Sequence, residues 1–287
     1  MQFLAQYNKD QSIEKLIQNA IWEDTHGFDH SALACIPSSQ VGNMKLLVKE
    51  DGIIAGVELA SIIFKEVDNS ITVTPLILDG AEVYKGDIVF TVQGPEISLL
   101  KAERLVLNCM QRMSAIATKT KSFASLIEDL STKILDTRKT TPGIRILEKW
   151  AVKIGGGENH RFGLYDMIML KDNHIDFAGG IAKAIEKTKS YLSINKLDLK
   201  IEVETRNLTE VKEVIEIGGV HRIMLDNFNL EDTVVAVELI AGRYETEASG
   251  GIDENTLRNY ALCGVDYVSM GALTHSVYNM DLSLKAL

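Results

Sequence analysis

The chain has 287 residues, 46% of them hydrophobic and 24% charged, with a formal net charge of −10. That composition describes a globular protein with a large core, long enough for two domains or for one α/β barrel with an attachment. An acidic surface argues against nucleic acid or an anionic membrane as a general partner, and no run of about 18 apolar residues offers a transmembrane helix.

The opening MQFLAQYNKDQSIEKL has no basic segment followed by an apolar one, so no secretory signal is expected and the cytoplasm is the expected compartment. Apolar residues at 13, 16, 17, 20 and 21 predict a helix with Ser12 as its N-cap. His26 and His30 stand four apart, but Gly27 breaks the helix that would align them as metal ligands, and a surface loop is the simpler reading. Met44–Val48 and Gly52–Val57 read as strands around a turn at 50–52, Ala60–Lys65 as a short helix, and Ile71–Thr74 and Ile88–Val92 as further strands. From Ile97 to Leu130 the apolar spacing is helical, and Glu103-Arg104 within it has the look of an ordinary exposed ion pair. Cys35, Cys109 and Cys263 are too few and too scattered for a disulfide framework or a metal site, so reduced and mostly buried thiols are expected.

The chemistry concentrates between Lys133 and His174, where eight Lys/Arg meet five Asp/Glu and make a positive window in an acidic chain. From there on, short apolar runs alternate with amphipathic segments at 144–153, 178–192, 208–217, 230–241 and 253–262, the last with Asp253 as N-cap. Strand–helix alternation implies a parallel sheet with right-handed crossovers. The predicted strands end in polar tips: Arg138-Lys139, Lys171, Glu204, Asp226, Ser249-Gly250-Gly251 and Met270-Gly271. Six such strands predict an incomplete or distorted α/β barrel with its site at the strand carboxyl ends, and a doubly wound open sheet is the alternative. The expected division is a small α+β domain over 1–110 and the barrel over 111–287, the extreme C-terminus being a candidate to pack back on the first.

The tips sort by chemistry. Arg138, Lys139, Arg161 and Lys171 are cationic, with His160 and His174 able to donate, and suit carboxylate or phosphate. Glu204 and Asp226 suit a hydroxylated sugar or Mg²⁺. The small late tips are where a barrel binds phosphate on backbone N–H groups. A sugar bearing phosphate and pyrophosphate meets all three demands. Glu202, read as alternating with Glu204, is expected to face away from the site, and Gly155-Gly156-Gly157 reads as a helix end rather than a nucleotide loop.

Asp136-Thr137-Arg138-Lys139-Thr140-Thr141-Pro142-Gly143, Glu148-Lys149 with Ala151-Val152, the Gly triplet, Asn159-His160-Arg161 and Lys171-Asp172-Asn173-His174 together resemble quinolinate phosphoribosyltransferase. Glu202-Val203-Glu204, Leu225-Asp226-Asn227, Ala248-Ser249-Gly250-Gly251 and Ser269-Met270-Gly271 continue the likeness in order. The N-terminal part departs from it, with Phe28-Asp29-His30-Ser31 where many members show Gly-Asp-x-Thr. The resemblance implies that quinolinate and phosphoribosyl pyrophosphate give nicotinate mononucleotide, pyrophosphate and CO₂ with Mg²⁺, a step of NAD biosynthesis. It implies a homodimer, or a higher homo-oligomer, in which the N-terminal domain of one subunit closes the barrel site of another. On this chain Arg138, Lys139, His160 and Arg161, with Thr137 beside them, resemble the quinolinate cradle, and Arg104 the residue delivered from the partner. Lys171, Glu204 and Asp226 resemble the ribose, pyrophosphate and Mg²⁺ contacts, with Lys139, Lys171, Glu204 and Asp226 the catalytic candidates. Ser249, Gly250, Gly251, Ser269, Met270 and Gly271 resemble the 5′-phosphate site. The rival readings are a same-fold paralogue with another acceptor, a Schiff-base aldolase using Lys171, and a non-catalytic anion-binding protein.

Overall fold

The computed structural model describes residues 13–287, so the Ser12 cap lies outside the described residues. In chain order the elements are α1 (Ile13–Thr25), α2 (His30–Cys35), β1 (Val41–Val48), β2 (Gly52–Ile53), α3 (Val57–Val67), β3 (Thr72–Pro75), β4 (Glu82–Val83), β5 (Ile88–Pro95) and α4 (Glu96–Ser125). There follow β6 (Lys133–Leu135), α5 (Arg145–Ile154), β7 (Ile168–Leu170), α6 (Asp172–Ala178), α7 (Ile181–Asn195), β8 (Ile201–Thr205), α8 (Leu208–Ile217), β9 (Arg222–Asp226) and α9 (Leu230–Ile240). The chain closes with β10 (Glu245–Ser249), α10 (Leu257–Leu262), β11 (Tyr267–Ser269), α11 (Ala272–His275) and β12 (Leu282–Ala286). Two compact units result: Ser122–Lys139 with Gly157–Ala272, and the chain up to Lys121 with Thr140–Gly156 and Leu273–Leu287. The boundary expected near 110 therefore falls inside α4.

The unit containing Gly157–Ala272 is built on six strands in the order β6-β11-β10-β9-β8-β7, all parallel. Every residue of β8 is buried, as expected of a strand covered on both faces. The sheet is an incomplete barrel, with β6 and β7 as its outer strands. On the free side of β6, Leu135 bridges in parallel to Glu158, so the segment leading to Asn159 and His160 continues the sheet without forming a strand of its own. Helix α8 occupies the expected span, while α10 starts at Leu257 rather than 253. Asp253 caps a turn instead: its carboxylate accepts the Thr256 N–H at 3.1 Å, and its own N–H donates to the Thr256 hydroxyl at 3.0 Å.

The other unit carries a four-stranded antiparallel sheet, β12-β1-β5-β3, in which the C-terminal strand β12 pairs along β1. The strand expected over Gly52–Val57 stops at Ile53 and pairs with β4, not β1. Its continuation is helical because Asp79 supplies a cap from afar, accepting the N–H groups of Val57 at 2.8 Å and Glu58 at 3.1 Å. Asp29 caps α2 in the same way, its carboxylate accepting the Ala32 N–H at 3.0 Å, and leaves His26 and His30 exposed. Along α4, Leu99, Ala102, Val106, Met110, Met113 and Ala117 are buried at helical spacing, which makes the methionines core residues. Gly155 ends α5 against α4, where a Cβ would lie 2.5 Å from the Ala117 carbonyl oxygen.

Glu148 is a buried charge of this unit. Its Oε1 accepts from Arg112 Nη2 at 2.8 Å and from the Thr141 hydroxyl at 2.9 Å, and its Oε2 accepts the Thr141 N–H at 3.0 Å. The side chain is fully buried and that of Arg112 is 20% exposed. Removing one member of such a pair strands the other, a loss of about 3 kcal/mol. Glu148→Ala is thus expected to destabilise the protein by about that amount in urea unfolding, and a change under about 1 kcal/mol would show the pair to be dispensable.

Candidate active site

Residues two apart on a strand face the same side of a sheet. Register then groups them in rows: Met169, Glu202, Arg222 and Glu245; above it Glu204, Met224, Glu247 and Tyr267; above that Asp226 and Ser249. Glu202 accordingly shares the face of Glu204, and the expectation that it turns away is corrected. Period two puts both carboxylates inside.

The floor of this face is a buried charge cluster. Glu202 and Glu247 are fully buried, and His160 Nε2 lies 3.1 Å from one and 3.2 Å from the other. Arg222 donates to Glu247 at 2.8 Å and to Glu245 at 3.0 Å, and its guanidinium stacks 4.1 Å over the Tyr267 ring. Burial raises the Glu202 carboxyl, and the Glu247 charge raises it further. Burial acts on Glu247 too, but bonds from His160, Arg222 and Ser269 bring it below the usual range. His160 Nδ1 accepts the Arg161 N–H at 2.7 Å, and the His160 N–H donates to the Asp136 carboxylate at 2.9 Å. Both ring nitrogens thus lie against protein groups, which fixes the ring in place. Arg222 and Glu247 drew no notice in the sequence, where alternating charges inside buried strands were the signal.

The rim carries the expected residues. At the end of β6, the buried Asp136 also accepts from the Asn159 side chain, tying this tip to the segment that carries Arg161. Thr137 folds its hydroxyl onto the Lys139 N–H at 3.0 Å, and Arg138 and Lys139 stand exposed beyond it. Arg161 donates to the Met167 carbonyl at 3.2 Å. Burial lowers its pKa, and the nearby charge of Arg138 lowers it further. On the other side, Lys171 Nζ donates to Glu204 Oε2 at 2.6 Å. The Asp226 carboxyl is raised first by burial and then by the charge of Glu204. The charge of Arg138 is thus felt at Arg161, and that of Glu204 at Asp226.

The remaining candidates divide. Gly250 and Gly251 both have positive φ, at 103° and 62°, and among the described residues their N–H groups donate to no protein acceptor. Ser269 is buried and hydrogen-bonded to Glu247, and the Met270 N–H is spent on the Leu135 carbonyl at 2.9 Å, extending the ladder. These two belong to the sheet interior and leave Gly271, half-buried, as the remainder of that tip. His174 turns back on its own helix, its Nδ1 accepting the Lys171 N–H at 3.0 Å. Arg104, in the other unit, is exposed on α4, and among the described residues it forms no ion pair with Glu103.

His160 makes the floor sensitive to pH. Burial opposes its charge, but the carboxylates of Glu202 and Glu247 raise its pKa to about 9. The second proton goes to Nδ1 and displaces the Arg161 N–H from it, and two carboxylates at close range outweigh the loss of that one contact. A folded value above the ordinary one of 6.5 means that this contribution is complete below pH 6.5 and is lost as pH rises through about 9. Thermal melts should show stability falling across that window, with less of a fall in His160→Gln. An equal fall in the variant would assign it to another group.

Comparison with known proteins agrees with this arrangement. The model for the C-terminal domain of quinolinate phosphoribosyl transferase matches residues 116–285, and that for its N-terminal domain matches 29–114. The chain is 48% identical over 288 aligned positions to quinolinate phosphoribosyltransferase [decarboxylating] 1b of Nicotiana tabacum, covering 95% of this chain and 82% of the relative. It is 38% identical to a probable nicotinate-nucleotide pyrophosphorylase [carboxylating] of Bacillus subtilis, covering 95% of this chain and 92% of the relative. The crystal structure of NadC from Streptococcus pyogenes superposes with a TM-score of 0.90 at 39% identity, covering 98% of this chain and 99% of that one. With both domain models matched in order and the charged tips gathered at the strand ends of one parallel sheet, the chain belongs to the quinolinate phosphoribosyltransferase family.

Proposed function

We propose that this protein transfers the phosphoribosyl group of phosphoribosyl pyrophosphate to quinolinate with loss of CO₂, giving nicotinate mononucleotide and pyrophosphate. The observation that carries the reading is the charge at the rim. Arg138 and Arg161 repel each other, as do Glu204 and Asp226, and each pair is relieved by a ligand of the opposite sign. A pyridine dicarboxylate suits the first pair, since guanidinium forks match carboxylates.

For the second pair the ligand is a sugar whose anomeric carbon gains positive charge as pyrophosphate departs. The C1–O bond breaks with its electrons going to pyrophosphate, and the quinolinate ring nitrogen supplies the pair for the new C1–N bond. Glu204 and Asp226 stabilise the positive sugar between these events, and Lys171 balances the leaving charge. No covalent nucleophile is required. Holding two anions side by side is the main task, and the cationic tips offset their repulsion. The carbon–carboxylate bond next to the new linkage then breaks, its electron pair stays on that ring carbon, stabilised by the adjacent positive nitrogen, and a proton from water takes the place of CO₂. The two carboxylates are hard oxygen donors of the kind Mg²⁺ takes alongside phosphate, and a bound Mg²⁺ would neutralise pyrophosphate charge there. Gly250 and Gly251 are the candidates for the 5′-phosphate. A Schiff-base aldolase needs a lysine nitrogen turned to a carbonyl substrate, whereas Lys171 Nζ is held 2.6 Å from Glu204 Oε2.

The active assembly in this proposal is a homodimer in which Arg104 serves the other subunit's quinolinate site, supported by its exposed place on α4 without a local ion pair. The proposed compartment is the cytoplasm, in keeping with three free thiols. Among the described residues no helix is long and apolar enough to cross a membrane.

Release of CO₂ from carboxyl-labelled quinolinate is expected only when phosphoribosyl pyrophosphate is present; release without it, or none with it, overturns the reading. Arg138→Ala should cost about 2–5 kcal/mol of quinolinate affinity while leaving the fold intact, and an undiminished affinity would remove Arg138 from the cradle. The shared site is tested by mixing an inactive Arg104 variant with an inactive Lys171 variant. Shared sites give a mixed dimer with one site carrying both lesions and one carrying neither, so activity returns towards half that of an unsubstituted dimer. Mixed dimers that stay inactive would confine Arg104 to its own subunit.

A further inference from the structure

The residue after Asp226 has an unusual backbone. Asn227 has φ +56°, a conformation that asparagine tolerates better than most side chains. Its N–H donates to the Ser249 carbonyl at 2.8 Å, which ties the tip of β9 to the tip of β10. Its Nδ2 donates to Asp226 Oδ2 at 2.7 Å. A carboxylate only accepts hydrogen bonds, so the amide orientation is settled by that contact. The amide oxygen is thereby turned to Gly250, where a Cβ would lie 2.3 Å from Asn227 Oδ1, 2.6 Å from Cγ and 2.9 Å from the backbone nitrogen. Gly250 is therefore required twice, by its φ of +103° and by the asparagine packed on it.

One side chain thus touches both halves of the sugar-phosphate site. It orients the carboxylate assigned to the ribose and pyrophosphate end, and it lies on the turn assigned to the 5′-phosphate. We propose that Asn227 is a positioning residue that sets the Asp226 carboxylate and the Ser249–Gly251 turn in one fixed arrangement, so that the two ends of phosphoribosyl pyrophosphate are gripped together. The proposal rests on the phosphoribosyl-transfer reading above. Quinolinate, held on the tips of β6 and of the segment that carries Arg161, lies outside this arrangement, so Asn227 discriminates between the two substrates.

The test is equilibrium binding of each substrate, in one magnesium-containing buffer, to the full chain and to folded variants. Asn227→Gly keeps the left-handed backbone accessible and deletes the amide. Loss of a hydrogen bond to a charged group predicts about tenfold weaker binding of phosphoribosyl pyrophosphate. Quinolinate binding should change less than about twofold, within the effect of a neutral surface change. Gly250→Ala should show the same selectivity, since its methyl group displaces the amide. With the amide already gone the methyl has less to displace, so the double variant should bind no worse than Gly250→Ala alone. Unchanged phosphoribosyl pyrophosphate binding in Asn227→Gly, an equal loss for both substrates, or a double variant as weak as the product of the single effects overturns the proposal. Failure of the unsubstituted protein to bind phosphoribosyl pyrophosphate would instead overturn the functional reading on which it rests.

Discussion

Two glutamates without access to water, Glu202 and Glu247, set the terms for the rest of the sheet. A buried carboxylate costs several kcal/mol unless partners compensate it. Compensation here comes from fixed places: Arg222 on the strand between them, and His160 from the segment beside β6. A slip of one residue in β8, β9 or β10 would turn these side chains to the opposite face and leave the charges unpaired. The cluster is a weak source of net stability by the usual accounting, but it is a strong constraint on register. Register is what brings Lys171, Glu204, Asp226 and Ser249 to neighbouring positions on one face of the sheet.

The same floor governs the cradle above it. Asp136 holds the His160 backbone while Glu202 and Glu247 hold its ring, and the ring in turn receives the Arg161 N–H. Arg161 is consequently fixed from behind, with its guanidinium half-buried and close enough to Arg138 to feel its charge. Preorganised like charges are costly in the empty site, and a ligand of opposite sign recovers that cost on binding.

Much of this was legible in the sequence because the signals were local. The alternation of apolar runs and amphipathic segments marked the parallel sheet, and the polar tips followed from it. Reading failed where partners are distant. Nothing near Val57 announces a helix start, since Asp79 provides its cap. The extreme C-terminus was a candidate to pack back on the N-terminal domain, but its pairing as β12 along β1, more than 200 residues away in the chain, is revealed only by the fold. Glu202 was misjudged through its period: two residues along a strand return to the same face. Arg222 and Glu247 passed as ordinary strand charges, because burial of a charged residue becomes legible only with the partners that neutralise it. The resemblance placed His160 in the quinolinate cradle, while its contacts to Glu202 and to the Arg161 N–H become visible only in the fold.

Floor and rim are built from the same strands, one step of two residues apart on β8 and β10 and two such steps apart on β9. Glu202 gives way to Glu204 on β8, and Glu247 to Ser249 on β10; on β9, Arg222 is followed on the same face by Met224 and then Asp226. A step of two residues is about 6.6 Å, less than the screening length of about 8 Å at physiological salt, and buried charges are screened less still. Charges in one layer are therefore felt in the next. Below, positive and negative groups are matched, which holds the register with or without substrate. Above, the matching is incomplete: Lys171 meets Glu204, but Arg161 still feels the charge of Arg138 and Asp226 that of Glu204, which gives the substrates something to complete. Matching the rim as fully as the floor would relieve its repulsion, but it would remove the positive charge that attracts a dianionic acid and the negative charge that stabilises a sugar turning positive.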